Sequence, residues 1–286
     1  MATWLPECEV NMAKLGNLAS RVLVALVAVP LLALAIYQDS PHITWGLVFV
    51  ASLIAMYEFF AMTLEDKTDR LVSLFLGAGA VAALYWLPAR FQPGLSAALL
   101  AFMPVTIYYL FRFGEMATVA ARLAYSVTGI FYAGLLFTFV ALIKRDLGAD
   151  GANVILLLLG TAWLSDTGGY FAGKFLGKAK LYPSVSPNKT WAGSIGGVIA
   201  AVGGAIAIKV FLFEDNLQWV DAIVLSFVGS ILGQIGDLAE SMIKRSRGIK
   251  DSGALIPGHG GILDRVDAVL FIAPFFYMYF IVRSNL

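Results

Sequence analysis

The sequence predicts an all-α integral membrane protein: a polytopic bundle of about nine transmembrane helices. Three observations carry this. Apolar runs near 20 residues long recur from end to end, and a helix needs about 20 residues to cross ~30 Å of hydrocarbon. The 286 residues are 59% hydrophobic and only 14% charged, with a mean hydropathy of +0.81. An ordinary soluble domain is about 45–50% apolar and about 25% charged, so the excess cannot all be hidden in a core. The runs do not alternate and are too long for barrel strands, which leaves helices. The net charge of +1 removes any case for bulk nucleic-acid binding. The single cysteine, Cys8, precedes the first apolar run, so there is no disulfide framework and no cysteine metal site.

The first span is Leu18–Tyr37. Its lead-in carries Glu7 and Glu9 and no small-x-small site clearly follows, so it reads as a retained helix rather than a signal peptide. Ile43–Met62 comes next and holds Glu58, a buried acid without an evident partner. Leu71–Leu87 and Leu95–Phe111 are the shortest spans and read as two crossings or as one re-entrant pair. Leu123–Ile143 runs into Lys144-Arg145. Asn153–Lys174 carries Asp166 mid-helix and, at Gly169 and Gly173, a GxxxG packing face. Trp191–Phe213, Trp219–Ile243 and Val266–Val282 complete the set. The longest polar stretches are Gly177–Thr190, whose prolines exclude a continuous helix, and Lys244–Asp264.

Nine helices put the termini on opposite sides. With the N-terminus in the cytoplasm, all but five of the 20 lysines and arginines fall in cytoplasmic segments, the exceptions being Arg90, Lys144, Arg145, Lys209 and Arg283. The positive-inside rule therefore favours a cytoplasmic N-terminus and a C-terminus on the opposite side. Intramembrane charges concentrate in the second half. Residues 1–150 thus read as N-terminal scaffold, dimer or lipid-facing helices, and 151–286 as a catalytic region with cytoplasmic loops.

Ionisable groups at membrane depth cost about 2.5–3.5 kcal/mol each on insertion scales and are functional candidates by default. Asp237, Glu240, Ser241 and Lys244 fall at i, i+3, i+4 and i+7, on one helical face that runs from a deep carboxylate to a surface cation. Glu240 and Lys244 also suit a plain i,i+4 pair. Asp264 and Asp267 share a face at the start of the last span, where Asp264 also suits helix capping. Two neighbouring carboxylates repel unless a cation or proton lies between them. Hard oxygen ligands of this kind suit Mg²⁺, which takes one or two carboxylates and completes its shell with water and phosphate. Asp237, Asp264 and Asp267 are therefore expected to converge on such an ion.

Between them, Lys244-Arg245-Ser246-Arg247-Gly248-Ile249-Lys250-Asp251-Ser252-Gly253 is basic and glycine-punctuated, which suits close approach of backbone amides to phosphate, though anchoring to anionic lipid explains such a segment equally well. His259, followed by Gly260 and Gly261, suits a phosphate donor or a general acid. Ser186, Asn188, Lys189 and Thr190 offer hydroxyls and a cation to phosphate or ribose. No Walker A loop, zinc-type histidine pair or GxSxG elbow is present, which disfavours an ATPase, metalloprotease or lipase. The residues alone lead to a membrane enzyme with a metal-dependent polyphosphate site at the cytoplasmic face.

The run from Ser241 through Lys244, Arg245, Lys250, Asp251, Gly253, Pro257, His259, Gly260, Gly261, Asp264 and Arg265 to Asp267 resembles the C-terminal signature of the phosphatidate cytidylyltransferases, or CDP-diacylglycerol synthases. The Ser165–Gly173, Ser186–Thr190 and Gln234–Ser241 segments are similar to the same family, whereas the first 120 or so residues match only in being apolar helices. A family glutamate two residues after the threonine of the Ser-Pro-x-Lys-Thr motif is Ala192 here. The resemblance implies the reaction CTP + phosphatidate → CDP-diacylglycerol + pyrophosphate; the lack of a transit-like N-terminus favours a bacterial inner membrane, and the charge asymmetry favours an active site facing the cytoplasm. The resemblance also implies Mg²⁺, with a second, monovalent cation such as K⁺, and a homodimer in the lipid bilayer. Asp237 and Asp264 are the expected metal ligands, with Asp267 a ligand or its support. Lys244, Arg245, Lys250 and Arg265 are expected to hold phosphates. Ser186, Asn188, Lys189 and Thr190 would close over nucleotide or lipid head group, and Glu240, Ser241, Asp251, His259, Gly260 and Gly261 belong to the substrate site. Asp166 is expected to orient a basic residue or support the metal. Rival readings are another CTP-using lipid transferase, such as a polyprenol or phytol kinase, and an ion-coupled transporter. The inverted repeats that a transporter predicts are not seen.

Overall fold

The computed structural model describes residues 29–88, 93–213, 217–253 and 260–284. Most of the first expected span lies outside these residues; its end, 29–36, is helical. Among the described residues eight helices are long and apolar enough to cross a membrane. They are α1 (Pro41–Thr63), α2 (Lys67–Trp86), α3 (Pro93–Phe111), α4 (Met116–Asp146), α5 (Gly151–Leu176), α6 (Trp191–Leu212), α7 (Trp219–Ser246) and α8 (Leu263–Ser284). The protein is an all-α polytopic membrane bundle. Helices α2 and α3 each have the length of a full crossing, at ~1.5 Å of rise per residue.

The end signals are local. Asp66 accepts from the amides of Thr68 and Asp69 and so starts α2. Thr190 does the same for α6 through Gly193. Gln218 and Asp221 form a reciprocal capping box on α7. Within α4, residues Ile130–Leu135 form a π-helical turn. Gly129 and Gly134 lie there against Phe59, Phe60 and Met56 of α1, so the widened turn packs directly on its neighbour.

Charges in the first half of the bundle, and at its far end, are held in pairs. Buried Asp69 accepts from Arg122 (2.8 Å) and from the Tyr108 hydroxyl (2.7 Å), tying α2, α3 and α4 together. Arg145 pairs with Asp146 and donates to the carbonyls of Tyr85 and Leu87, while Tyr277 donates to Asp146. This network gives Arg145, one of the exceptions in the charge count, a partner within the bundle. Asp221 accepts from Arg283 (2.5 Å) and Tyr279 (2.5 Å) in the same manner.

Two features position the site. First, α5 and α6 are in unusually close contact along glycines. A Cβ on Gly193 would lie 2.8 Å from the Gly169 carbonyl oxygen and 3.4 Å from the Gly173 Cα. The GxxxG face of α5 therefore packs as expected. Second, the segment joining them is a short antiparallel hairpin, β1 (Lys180–Tyr182) with β2 (Ser186–Thr190), paired Lys180 to Thr190 and Tyr182 to Ser186. The sequence excluded a continuous helix over this stretch without indicating what replaces it. Pro187 is tolerated because a two-stranded ribbon has only edge strands. The hairpin, the end of α7 and the start of α8 gather at one end of the bundle, beside the α1–α2 turn, where the Arg247 Nε donates to the Met62 carbonyl (3.0 Å).

The α5–α6 contact yields a direct test. A Cβ on Gly196 would meet Ala172 and Gly168, whereas the same position on Gly203 of the same helix is open. Gly196→Val should lower the thermal unfolding midpoint in detergent by the equivalent of about 1–3 kcal/mol, as overpacking does. Gly203→Val should leave it nearly unchanged.

Candidate active site

A cleft of about 590 Å³ opens between α5, β2, the first turn of α6 and α7. Asp166, Asn188, Lys189, Thr190, Ser194 and Asp237 are among its lining residues. Lys189 reaches across it from the hairpin to the Asp237 carboxylate of α7 (2.7 Å). Both side chains are about a quarter to a third exposed, with the Lys189 ammonium nitrogen itself buried against the carboxylate. Ser241, one turn on, hydrogen-bonds Asp237 (3.4 Å). Asp166 on α5 interacts electrostatically with Asp237, Lys189 and Arg265, and Asp267 on α8 with both Asp237 and Asp166. Gly236 makes this possible: a Cβ there would lie 2.6 Å from the Asp267 carbonyl oxygen, so α7 and α8 touch at the acids.

Next to the cleft, Lys244 joins two acids. Its ammonium donates to Glu240 (2.8 Å) and to Asp264 (2.6 Å), all three being nearly buried. Asp264 also accepts from the amides of Ser252 (3.0 Å) and Gly261 (2.9 Å). Gly260 carries φ 76°, a conformation that favours glycine and turns the chain into α8. Glu58 of α1 completes this corner, accepting from the amides of Ile262 (3.1 Å) and Leu263 (2.9 Å) and from the Ser252 hydroxyl (3.2 Å). Glu240 Oε1 and the hydroxyl of Tyr132, on the π turn of α4, are buried polar atoms without a hydrogen-bond partner at the same corner.

The structure thus brings together Asp166, Asn188, Lys189, Thr190, Asp237, Glu240, Ser241, Lys244, Gly260, Gly261, Asp264, Arg265 and Asp267. The i, i+3, i+4, i+7 face of α7 is realised by both of its internal contacts. Ser186 pairs with Tyr182 in the hairpin and is not a lining residue of the cleft. Arg245 donates to the Ile249 carbonyl at the surface, and Lys250 and Asp251 are exposed. His259 lies outside the described residues. Sequence reasoning missed Ser194 and Gln234, which hydrogen-bond each other across α6 and α7 (2.5 Å) and line the cleft. Gln234 is three residues before Asp237, so its position on the acidic face was a usable signal.

The three expected metal ligands are not assembled as one cage. Among the described residues no three acidic, histidine or cysteine groups converge at metal reach. Asp264 is engaged by Lys244 and two amides instead. Asp237 and Asp267 fit a cation better: they face each other's charge, and Asp237 is open to the cleft. Two carboxylates match what Mg²⁺ takes from protein when phosphates supply other ligands.

A cytidylyltransferase family profile matches residues 19–282 of the chain. The chain belongs to the cytidylyltransferase family. Over 151 residues it is 44% identical to the phosphatidate cytidylyltransferase of Brucella suis biovar 1 (strain 1330), covering 53% of this chain and 55% of the relative. It is 38% identical to that of Staphylococcus saprophyticus subsp. saprophyticus, with 53% and 56% covered, and 40% identical to that of Staphylococcus aureus (strain COL), with the same coverage. The chain spans about half the length of the curated relatives it matches. As a cytidylyltransferase-family fold, it places its acids and cations at one end of a membrane bundle.

The Lys244 hub has a measurable signature. Lys244→Met leaves two buried carboxylates facing each other and should destabilise the protein by about 3–5 kcal/mol in detergent unfolding. Adding Glu240→Gln should recover part of that loss, because removing both partners is less harmful than stranding one.

Proposed function

We propose that this protein is a phosphatidate cytidylyltransferase that makes CDP-diacylglycerol and pyrophosphate from CTP and phosphatidate. The observation that carries the proposal is the cleft in which Lys189 bridges to Asp237, with Asp166, Asp267 and Arg265 beside it, at one end of a membrane bundle. The names of the relatives, matched over 151 residues of the chain, support the same reading.

In the proposed reaction a phosphate oxygen of phosphatidate attacks the α-phosphorus of CTP. The bond from that phosphorus to the oxygen bridging to the β-phosphorus breaks, and pyrophosphate leaves with the electron pair. Both substrates are anions, so charge repulsion is a large part of the barrier. Lys189 and Arg265 reduce it at the cleft, and they stabilise charge on the departing pyrophosphate. Lys244 is held too tightly by Glu240 and Asp264 to be the main phosphate ligand, and it fixes the end of α7 against the start of α8. Asn188 and Thr190 line the nucleotide side. Asp237 and Asp267 are the residues that would hold Mg²⁺. When bound, that ion would supply positive charge to the phosphates that no side chain matches. No covalent enzyme intermediate is needed.

The proposal includes a homodimer in a bacterial inner membrane, with the cleft facing the cytoplasm. The lysine and arginine distribution supports that side. Cys8 is the only cysteine, so a Cys8→Ser background gives a clean labelling test. Lys178→Cys, at the hairpin end, should react with an impermeant maleimide only when the cytoplasmic face is exposed. Labelling from the outside would overturn the orientation.

The reaction is tested by pyrophosphate release from purified protein given CTP, phosphatidate and Mg²⁺. Turnover should need all three. Asp237→Asn, Asp267→Asn and Lys189→Met should each lower it by at least about 10²-fold, the scale for losing a group that stabilises the transition state. Turnover with polyprenol or phytol but not with phosphatidate would replace this proposal with a lipid-kinase reading.

A further inference from the structure

The loop between α7 and α8 is closed at its base by two carboxylates from opposite halves of the chain. Asp264 holds the amides of Ser252 and Gly261. Glu58, 194 residues before Ser252, holds the Ser252 hydroxyl and the amides of Ile262 and Leu263. The same two strips of backbone are thus gripped twice.

Glu58 is nearly buried, with only 5% of its surface exposed, in a helix with no other acid in its apolar window. A carboxylate at that depth needs strong donors. It finds them at the N-terminus of α8, whose first amides have no partners within the helix. Ile262, the residue before α8, has no capping side chain of its own. Glu58 does that work from another helix, at the positive end of the α8 dipole. The packing is built around the carboxylate. A Cβ on Gly253 would lie 2.6 Å from Glu58 Oε1, and one on Gly261 would fall 2.7 Å from its carboxyl carbon. Both glycines are therefore required for the loop to descend onto the acid. Arg247 adds a second tether, donating to Met62 at the end of α1 and stacking over Tyr125 of α4.

We propose that Glu58 is a positioning residue for the reaction: it caps α8 in trans and sets the placement of Asp264, Arg265 and Asp267 relative to α7. This rests on the cytidylyl-transfer reading of the cleft. Glu58 does not line the cleft and does not touch substrate in this account. It acts through the start of α8, as outer partners of reacting groups do elsewhere, where their loss typically lowers activity or metal affinity about 10–100-fold.

The test uses the full chain in detergent or nanodiscs, with Glu58→Gln as the main variant. Glutamine keeps the size but removes the charge, and it presents an NH₂ where one amide must be accepted. Two readouts are taken. Hydrogen exchange of peptides carrying Ile262 and Leu263 should speed up by about tenfold or more, while the middle of α1 and of α8 keep their protection. Turnover per folded molecule should fall about 10–100-fold, in kcat and with a raised KM for CTP. Glu58→Asp, which keeps the charge on a shorter arm, should restore part of both. If Glu58→Gln does not fold, Ser252→Ala and Gly261→Ala weaken the same clasp and should give the local exchange change with the same kinetic signature.

Unchanged exchange at Ile262 and Leu263 would overturn the proposal. So would local opening with unchanged turnover, or exchange that rises evenly through α1 and α8 with normal turnover per folded molecule. If the wild type fails to use CTP and phosphatidate at all, the reaction reading falls, and the exchange arm still decides whether the clasp exists.

Discussion

A charged group taken from water into the apolar part of a membrane bundle must find a partner or be discharged, and most of this structure follows from how that demand is met. Around the cleft and its corner there are six acids: Glu58, Asp166, Asp237, Glu240, Asp264 and Asp267. Three cations face them: Lys189, Lys244 and Arg265. The formal sum is negative by three. Two phosphorylated substrates would make it far more so. A divalent cation would offset much of that excess, which supports Mg²⁺ in the proposed reaction on electrostatic grounds. Lys244 alone neutralises neither neighbour fully, because Glu240 and Asp264 share it. That sharing locks α7 to α8 while leaving Asp237 to the cleft.

Packing puts these groups within reach of one another. Glycines at 168, 169, 173, 193 and 196 let α5 and α6 approach until backbone meets backbone. The hairpin between them is consequently short and falls across the end of α7, which delivers Lys189 to Asp237. Bulk in that interface would separate the cation from the acid before it disturbed any residue of the cleft itself. The site is thus as sensitive to an apolar contact 10–20 residues away in sequence as to its own polar groups, a consequence of interiors packed to crystal-like density.

Much of the fold was legible because length and apolarity decide it. Spans from the second onward match α1 to α8, most of them within about four residues at each end; α4 starts at Met116, seven residues before the expected Leu123. The acidic face of α7 was legible too, since i, i+3, i+4 and i+7 are local. What was not legible is long-range. Nothing in the sequence near Lys189 indicates that it meets Asp237, 48 positions later, and nothing near Glu58 indicates the start of α8. Asp264 shows the limit from the other side. Two acids three residues apart read as a metal pair, but Lys244 and the amides of a closed loop claim the first of them. Only the fold could show which acid is capped and which is open. The hairpin was hidden by its prolines, which exclude a helix without saying what replaces it.

The depth of the site bears on how a lipid and a nucleotide can meet there. Lys174 lies eight residues beyond Asp166 on α5, about 12 Å along the helix axis. Its ammonium rests over the rings of Tyr170 and Phe175, and Phe171 stacks on Phe175, all on an exposed face. Aromatic and basic side chains grouped this way belong at a membrane–water boundary. Asp166 therefore sits well below the head-group level. A phosphate held by a lipid tail cannot move far from its own boundary without dragging water or finding cations. The cleft solves both parts: it is open enough to stay wet, and it lowers Lys189 from the hairpin to the depth of Asp237. In the proposed reaction the lipid phosphate would descend along the α5 aromatic face while the triphosphate would enter beside the hairpin. The two anions would then approach each other at the level where opposing charge has already been assembled.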